Sequence, residues 1–311
     1  MMNQQNKIWI NYLFVIGVMV LWGLNVVALK VLVAYMPPAS MQTLRIMVAG
    51  AIIVIIMLCC NEWRKISRKE LKHIAAASVF GVIGHHFFLA LGLMSTSAVN
   101  TSLILALVPL TTSLLAMIIL GDPVTKTRFL GVVLGFIGVG LLTIAGSGSQ
   151  VSGLSSGDVL IFLSMFSQAV SFIYIKKATT TLHPRAMTGF MFLIGSAGLL
   201  LISLFMEPGG IAQVFKAPLF VWLIFFGSAV LATALGHQLF NSSIQKIGAG
   251  ETAVFNNLVP FFGLISSAVL LKETVYPAQL TGFIFIVGGV LLGTGYVEQK
   301  WINYRRKAHQ H

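Results

Sequence analysis

Charge is what this sequence has least of. Only 9% of its 311 residues are Asp, Glu, Lys or Arg, against about 25% in a soluble domain. Twenty are basic and eight acidic, while 57% of the chain is hydrophobic and its mean hydropathy is +0.92. So little polar surface excludes a soluble globular domain and points to an integral membrane protein. Cysteine is nearly absent. Cys59 and Cys60 are adjacent, so no disulfide framework is implied; they read as apolar filler at a helix end or as acylation sites. No Cys/His/Asp group has metal-ligand spacing, and no G-x-x-x-x-G-K-[ST] run is present, so no metal, cofactor or bound nucleotide is expected. Nor is any nucleophile–base pair spaced convincingly within the apolar runs, which makes an intramembrane enzyme the weaker reading. The net charge of +12 is spread in short clusters between apolar runs. That pattern sets membrane orientation rather than nucleic-acid binding. The first apolar run is long enough to span and has no A-x-A-like cleavage site after it, so it reads as a retained helix.

A span needs about 20 mostly apolar residues. That rule gives ten, near 9–33, 40–60, 72–94, 99–120, 128–146, 157–176, 186–206, 219–240, 251–271 and 278–297. The linkers are short and carry helix breakers, such as "MPPAS", "HPRA" and "EPGG". With the N-terminus in the cytoplasm, Lys7, the Arg64–Lys72 cluster, Lys126, Arg128, Lys176, Lys177, Arg185, Lys246 and the Lys300–Lys307 tail fall inside. Lys30, Arg45, Lys216 and Lys272 are left outside. This asymmetry predicts an even number of spans, both termini cytoplasmic, in the inner or plasma membrane.

The two halves resemble each other. Pro109 and Pro260 lie 151 residues apart in "LVPL" and "LVPF". At the same offset His86 meets His237, Thr101 meets Thr252, Asp122 meets Glu273 and Gly138 meets Gly289. At an offset of 146, Pro38 meets Pro184 and Lys30 meets Lys176. Five spans per half put the second copy in the opposite orientation, the inverted-repeat plan of many secondary carriers. The expected units are residues 1–150 and 151–311, an all-α polytopic fold of ten transmembrane helices in two five-helix inverted repeats around a central cavity.

"LWGLN…LK", "LRIMVAG" and the paired tails "ALVPLTTSLLAMIILGDPVTKTRFLGVVLGFIGVGLL" and "NLVPFFGLISSAVLLKETVYPAQLTGFIFIVGGVLLG" resemble the EamA-like carriers of the drug/metabolite transporter superfamily. The resemblance covers nearly the whole chain. It departs at Asp122, where the family usually has Glu. It implies ten helices, a cavity between halves, and export or exchange of small metabolites, often amino acids.

Polar residues within spans are expensive and are read as functional candidates. Thr233, His237 and Asn241 recur at i, i+4 and i+8 on one face of the eighth span. They line a wet cavity or bond to another helix. His86 occupies the matching place in the third span. Trp22 and Asn25 lie one turn apart on the first span and match Gln168 and Ser171 on the sixth. A ring and an amide suit a small amphipathic ligand. Glu251 opens the ninth span, where it caps the helix or couples transport to protons. Asn256 and Asn257 precede Pro260. Pro260 and Pro109 free carbonyls one turn earlier and act as hinges or tolerated kinks. Lys30 snorkels to the outer interface or, with Arg45, makes the outer half of the cavity cationic. The Gly131/Gly135 and Gly289/Gly293 pairs allow close helix approach within the chain or in a homodimer. The buried first-helix Glu that small multidrug exporters use for cations and protons is missing. The expectation is therefore a secondary transporter exporting amino acids or related zwitterionic or anionic solutes. Import or exchange of nucleotide-, sugar- or vitamin-like solutes is the alternative.

Overall fold

A computed structural model describes residues 4–62, 64–120, 125–145, 155–240, 258–293 and the single positions 255, 297 and 301. Among the described residues all regular structure is helical. The order is α1 (Gln4–Tyr35), α2 (Pro38–Cys59), α3 (Arg68–Ser78), a π-helical segment π1 (Val79–Gly84), α4 (His85–Ser95), α5 (Ala98–Leu105), α6 (Val108–Leu120) and α7 (Lys126–Ala145). Then follow α8 (Ser156–Ala178), α9 (Pro184–Met206), α10 (Gly210–Val214), α11 (Leu219–Phe226), a second π-helical segment π2 (Gly227–Leu235), α12 (Leu258–Leu270) and α13 (Pro277–Gly293). Seven stretches among the described residues are long and apolar enough to cross a membrane. Large apolar side chains such as Phe205, Leu219 and Ile284 lie on the outer surface, as lipid-facing positions require.

Local chemistry starts the helices. Pro38 and Pro184 occupy the first turns of α2 and α9, where their missing N–H is no loss. Ser67 with Glu70, and Ser155 with Asp158, form capping boxes at α3 and α8. All five carboxylates among the described residues hold helix ends or the loops beside them. Glu62 pairs with Arg185 at the start of α9 (2.7 Å). Glu70 accepts from Ser67, Arg64 and Thr181. Asp158 accepts from Thr96 and from the Ser155 amide. Glu207 accepts from the Ala39 and Ser40 amides at the start of α2. Glu273 does the same for Ala98 and Val99 at the start of α5.

The expected fourth span is continuous in sequence but broken in structure. Residues 106–107 form a turn between α5 and α6, immediately before Val108 and Pro109. Pro109 has no N–H to continue the ladder, and the chain tightens into i→i+3 bonds there, Leu107 to Ile104 among them. Packing joins distant parts of the chain: α2 runs along α9, α7 along α13, and α1 along α12. Between α7 and α13 the backbones touch. A Cβ added to Gly289 would lie 2.6 Å from the Gly131 carbonyl oxygen, and one added to Gly138 2.7 Å from that of Gly282. The glycine pairs are thus used within one chain, between its two halves, where small residues let helices approach in lipid.

Candidate substrate-binding site

A fully buried charged group marks the site. Arg45, two turns into α2, is fully buried. Its Nε donates to Gln42 Oε1 one turn earlier (2.8 Å). Its Nη1 donates to Thr233 Oγ1 (2.7 Å) and Ser228 Oγ (3.2 Å) in π2. Its Nη2 meets His86 Nδ1 at 3.0 Å. A guanidinium only donates, so His86 accepts at Nδ1 and carries its proton on Nε2. Ser228 passes its own proton to Asn25 Oδ1 (2.5 Å) on α1. Three separate stretches, α2, α4 and π2, therefore meet on one cation, and α1 joins them through Ser228. None of the ion pairs among the described residues involves Arg45.

The π register of residues 227–235 builds half of this node. In a π-helix the backbone advances by i→i+5 bonds, and Thr233 Oγ1 donates to the Ser228 carbonyl, five residues back (2.9 Å). This brings Ser228 and Thr233 to the same guanidinium nitrogen, although an α-helix would point them apart. Trp22 Nε1 donates to the Ala232 carbonyl within the same segment (2.8 Å). Next to it the Trp22 ring lies 5.1 Å from the His237 ring and 5.1 Å from Phe240, and Phe192 closes edge-on over His237 at 5.5 Å. His237 Nδ1 is 2.8 Å from the Thr233 carbonyl. That contact makes Nδ1 the protonated nitrogen and leaves Nε2 an acceptor in the neutral ring. The node is thus a polar core of donors with an aromatic wall beside it.

Of the residues singled out in the sequence, Trp22, Asn25, Arg45, His86, Thr233 and His237 come together here. Ser171 lies elsewhere, against Gly81 of π1, where a Cβ would sit 2.7 Å from the Ser171 Cβ; its hydroxyl is spent on the Gln168 carbonyl. Gln168, half-buried on the same helix, has no hydrogen bond to the node. His85 and His86 diverge as adjacent helical positions should: His85 bonds Ser164 on α8 (2.9 Å) and His86 bonds Arg45. Lys30 is half-buried and donates to the carbonyls of Leu93 (2.6 Å) and Thr96 (2.5 Å). These are the free acceptors at the C-terminal end of α4, where a cation is favoured. Its bonds are those of a helix anchor. Pro260 is buried near the start of α12. Asn241, Glu251, Asn256 and Asn257 lie outside the described residues. Among the described residues no group of His, Cys, Asp and Glu could hold a metal ion.

Two members of the node escape sequence reading. Gln42 stands three residues before Arg45, so helical spacing could have found it. Ser228 could not be found that way, because only the π register joins it to Thr233.

The model of the family described as "EamA-like transporter family" matches the chain twice, over residues 9–144 and 155–294. The uncharacterized transporter YyaM of Bacillus subtilis is 31% identical over 290 residues, covering 92% of this chain and 94% of its own. A probable amino-acid metabolite efflux pump of Salmonella typhimurium is 28% identical over 288 residues, covering 88% and 91%. One solved crystal structure superposes with a TM-score of 0.63 at 18% identity, covering 91% of this chain and 98% of the other. That likeness concerns the fold alone.

Proposed function

The chain belongs to the EamA-like transporter family, and from that premise we propose that it is a secondary carrier exporting amino acids or related zwitterionic or anionic solutes across the cell membrane. The observation that carries this reading is the Arg45 guanidinium, fully buried and with no ion pair among the described residues. A lone buried charge is destabilising unless something compensates it. In a transporter that compensation arrives with a carboxylated substrate. The Salmonella relative named as an amino-acid metabolite efflux pump supports the solute class and direction.

The mechanism is alternating access between two five-span halves in opposite orientation, residues 1–150 and 151–311, with both termini cytoplasmic. Three observations support it. The family model matches each half separately. Both halves carry a π segment at the position the 151-residue offset predicts, π1 at 79–84 and π2 at 227–235. Repeat-related helices pack on one another, α2 on α9 and α7 on α13. Arg45 belongs to the first half and its partners Ser228 and Thr233 to the second, so these two bonds are the ones that part when the halves rock. Pro109 and Pro260 are the hinge candidates, and Glu251 is the candidate for proton coupling. The glycine contacts are satisfied within one chain, so a monomer is the proposed transporting unit. Counterflow of labelled amino acids into proteoliposomes containing the purified chain tests the reading. Saturable uptake above protein-free vesicles, with the solute recovered unchanged, is the expected outcome; no flux for any amino acid refutes it.

A further inference from the structure

The Arg45 node holds a second unsatisfied group. Gln42 is fully buried, and its Nε2 has no hydrogen-bond partner among the described residues. The amide cannot be turned over to cure this, because Oε1 is the end that must face the Arg45 Nε–H at 2.8 Å. Arg45 has five N–H donors. Four are used, by Gln42, Ser228, Thr233 and His86, which leaves one on Nη2. Two donor groups on one helix turn, an amide NH2 and a guanidinium N–H, are therefore buried without acceptors among the described residues. Native interiors rarely leave such donors unpaired. One that does so beside a positive charge with no ion pair among the described residues is shaped for an anion with two acceptor oxygens.

We propose that Gln42 and Arg45 together form a carboxylate subsite, with Gln42 as a specificity-determining residue of the transport site. This rests on the carrier reading above and adds the residue that, with Arg45, selects the charge of the solute. The carboxylate takes the remaining Arg45 N–H with one oxygen and the Gln42 amide N–H with the other. Such charge-assisted pairs are short and strong. An esterified or amidated analogue presents no negative charge to the guanidinium. An amide also sets its own NH2 against that of Gln42. The subsite therefore rejects both analogues, since a site built around buried donors discriminates sharply against a ligand that leaves them unpaired.

The decisive variant is Gln42→Glu. It keeps the size and the bond to Arg45 Nε while supplying the missing carboxylate from within the protein. The apparent melting temperature in detergent should rise relative to the unmodified chain, because the lone charge is now paired. Counterflow of the twenty protein amino acids, compared with that of their C-terminal amides, should lose its acid preference by tenfold or more. Gln42→Leu removes the orphan donor without adding charge. It should fold and should lower the acid-to-amide ratio by about threefold to tenfold, Arg45 being intact. A melting temperature that falls in Gln42→Glu, or an acid-to-amide ratio that is unchanged in it, overturns the subsite. If the unmodified chain moves no amino acid at all, the carrier reading fails and the melting comparison alone decides whether Gln42 and Arg45 await an anion.

Discussion

Glu207 ties the two halves together at a helix end, and the strength of that tie can be worked out. Its carboxylate accepts from the Ala39 amide (2.9 Å), the Ser40 amide (2.8 Å) and the Ser40 hydroxyl (2.7 Å). These amides belong to the first turn of α2, which has no side-chain cap of its own from Pro37. Glu207→Ala leaves two first-turn N–H groups short of an acceptor, while the Ser40 hydroxyl keeps Ser203 Oγ as a partner at 2.7 Å. A lost cap is worth about 0.5–2 kcal/mol, and the carboxylate's attraction to the helix N-terminus about 0.3–1 kcal/mol more. The expected loss is therefore about 1–3 kcal/mol. At about 2 °C per kcal/mol for a chain of this size, the apparent melting temperature falls by about 2–6 °C. Glu207→Gln keeps one acceptor oxygen but turns an NH2 toward the second amide, so it should lose roughly half to two-thirds as much. Thermal unfolding of the purified variants in one detergent gives the readout. A shift below about 1 °C in Glu207→Ala would mean that the bonds are incidental, and the reasoning about capped helix ends would fail with them.

Three further outcomes are expected. Lys30→Met should lower stability by about 1–2 kcal/mol through the lost bonds to the Leu93 and Thr96 carbonyls, while leaving the ratio of acid to amide transport unchanged; a changed ratio would make Lys30 a substrate reader. Gly131→Val should sharply reduce the yield of folded protein, because its Cβ would overlap the Gly293 backbone, whereas Gly288→Ala meets nothing within 4 Å and should be tolerated. Trp22→Phe keeps a ring beside His237 but frees the Ala232 carbonyl of π2, so melting should drop by about 2 °C, in line with about 1 kcal/mol for one hydrogen bond.

Much of this was legible in the sequence, for physical reasons that differ by residue. Spans could be read because lipid demands long apolar runs, and seven such stretches stand among the described residues; a repeat was suggested by Pro109 and Pro260 standing in "LVPL" and "LVPF" 151 residues apart. Trp22, Asn25, Arg45, His86, Thr233 and His237 stood out because polar groups are rare in such runs. What could not be read was how they meet. Ser228 joins Thr233 only through a π register, which leaves no composition signature. The use of Lys30 depended on where α4 ends, a matter of tertiary packing. The Gly131 and Gly289 pairs announced close contact but not the partner; the structure supplies it as α7 against α13.

The central claim is that a buried guanidinium reads the negative charge of a transported solute. The most direct test is counterflow in proteoliposomes of the unmodified chain and of Arg45→Gln, each with amino acids and their C-terminal amides. Arg45→Gln retains hydrogen-bonding ability and removes the charge. The account predicts saturable flux of unmodified amino acids through the native chain, and an acid-to-amide ratio at least tenfold lower in the variant, the equivalent of about 1.4 kcal/mol. An equal ratio in both proteins, with flux intact, would contradict it.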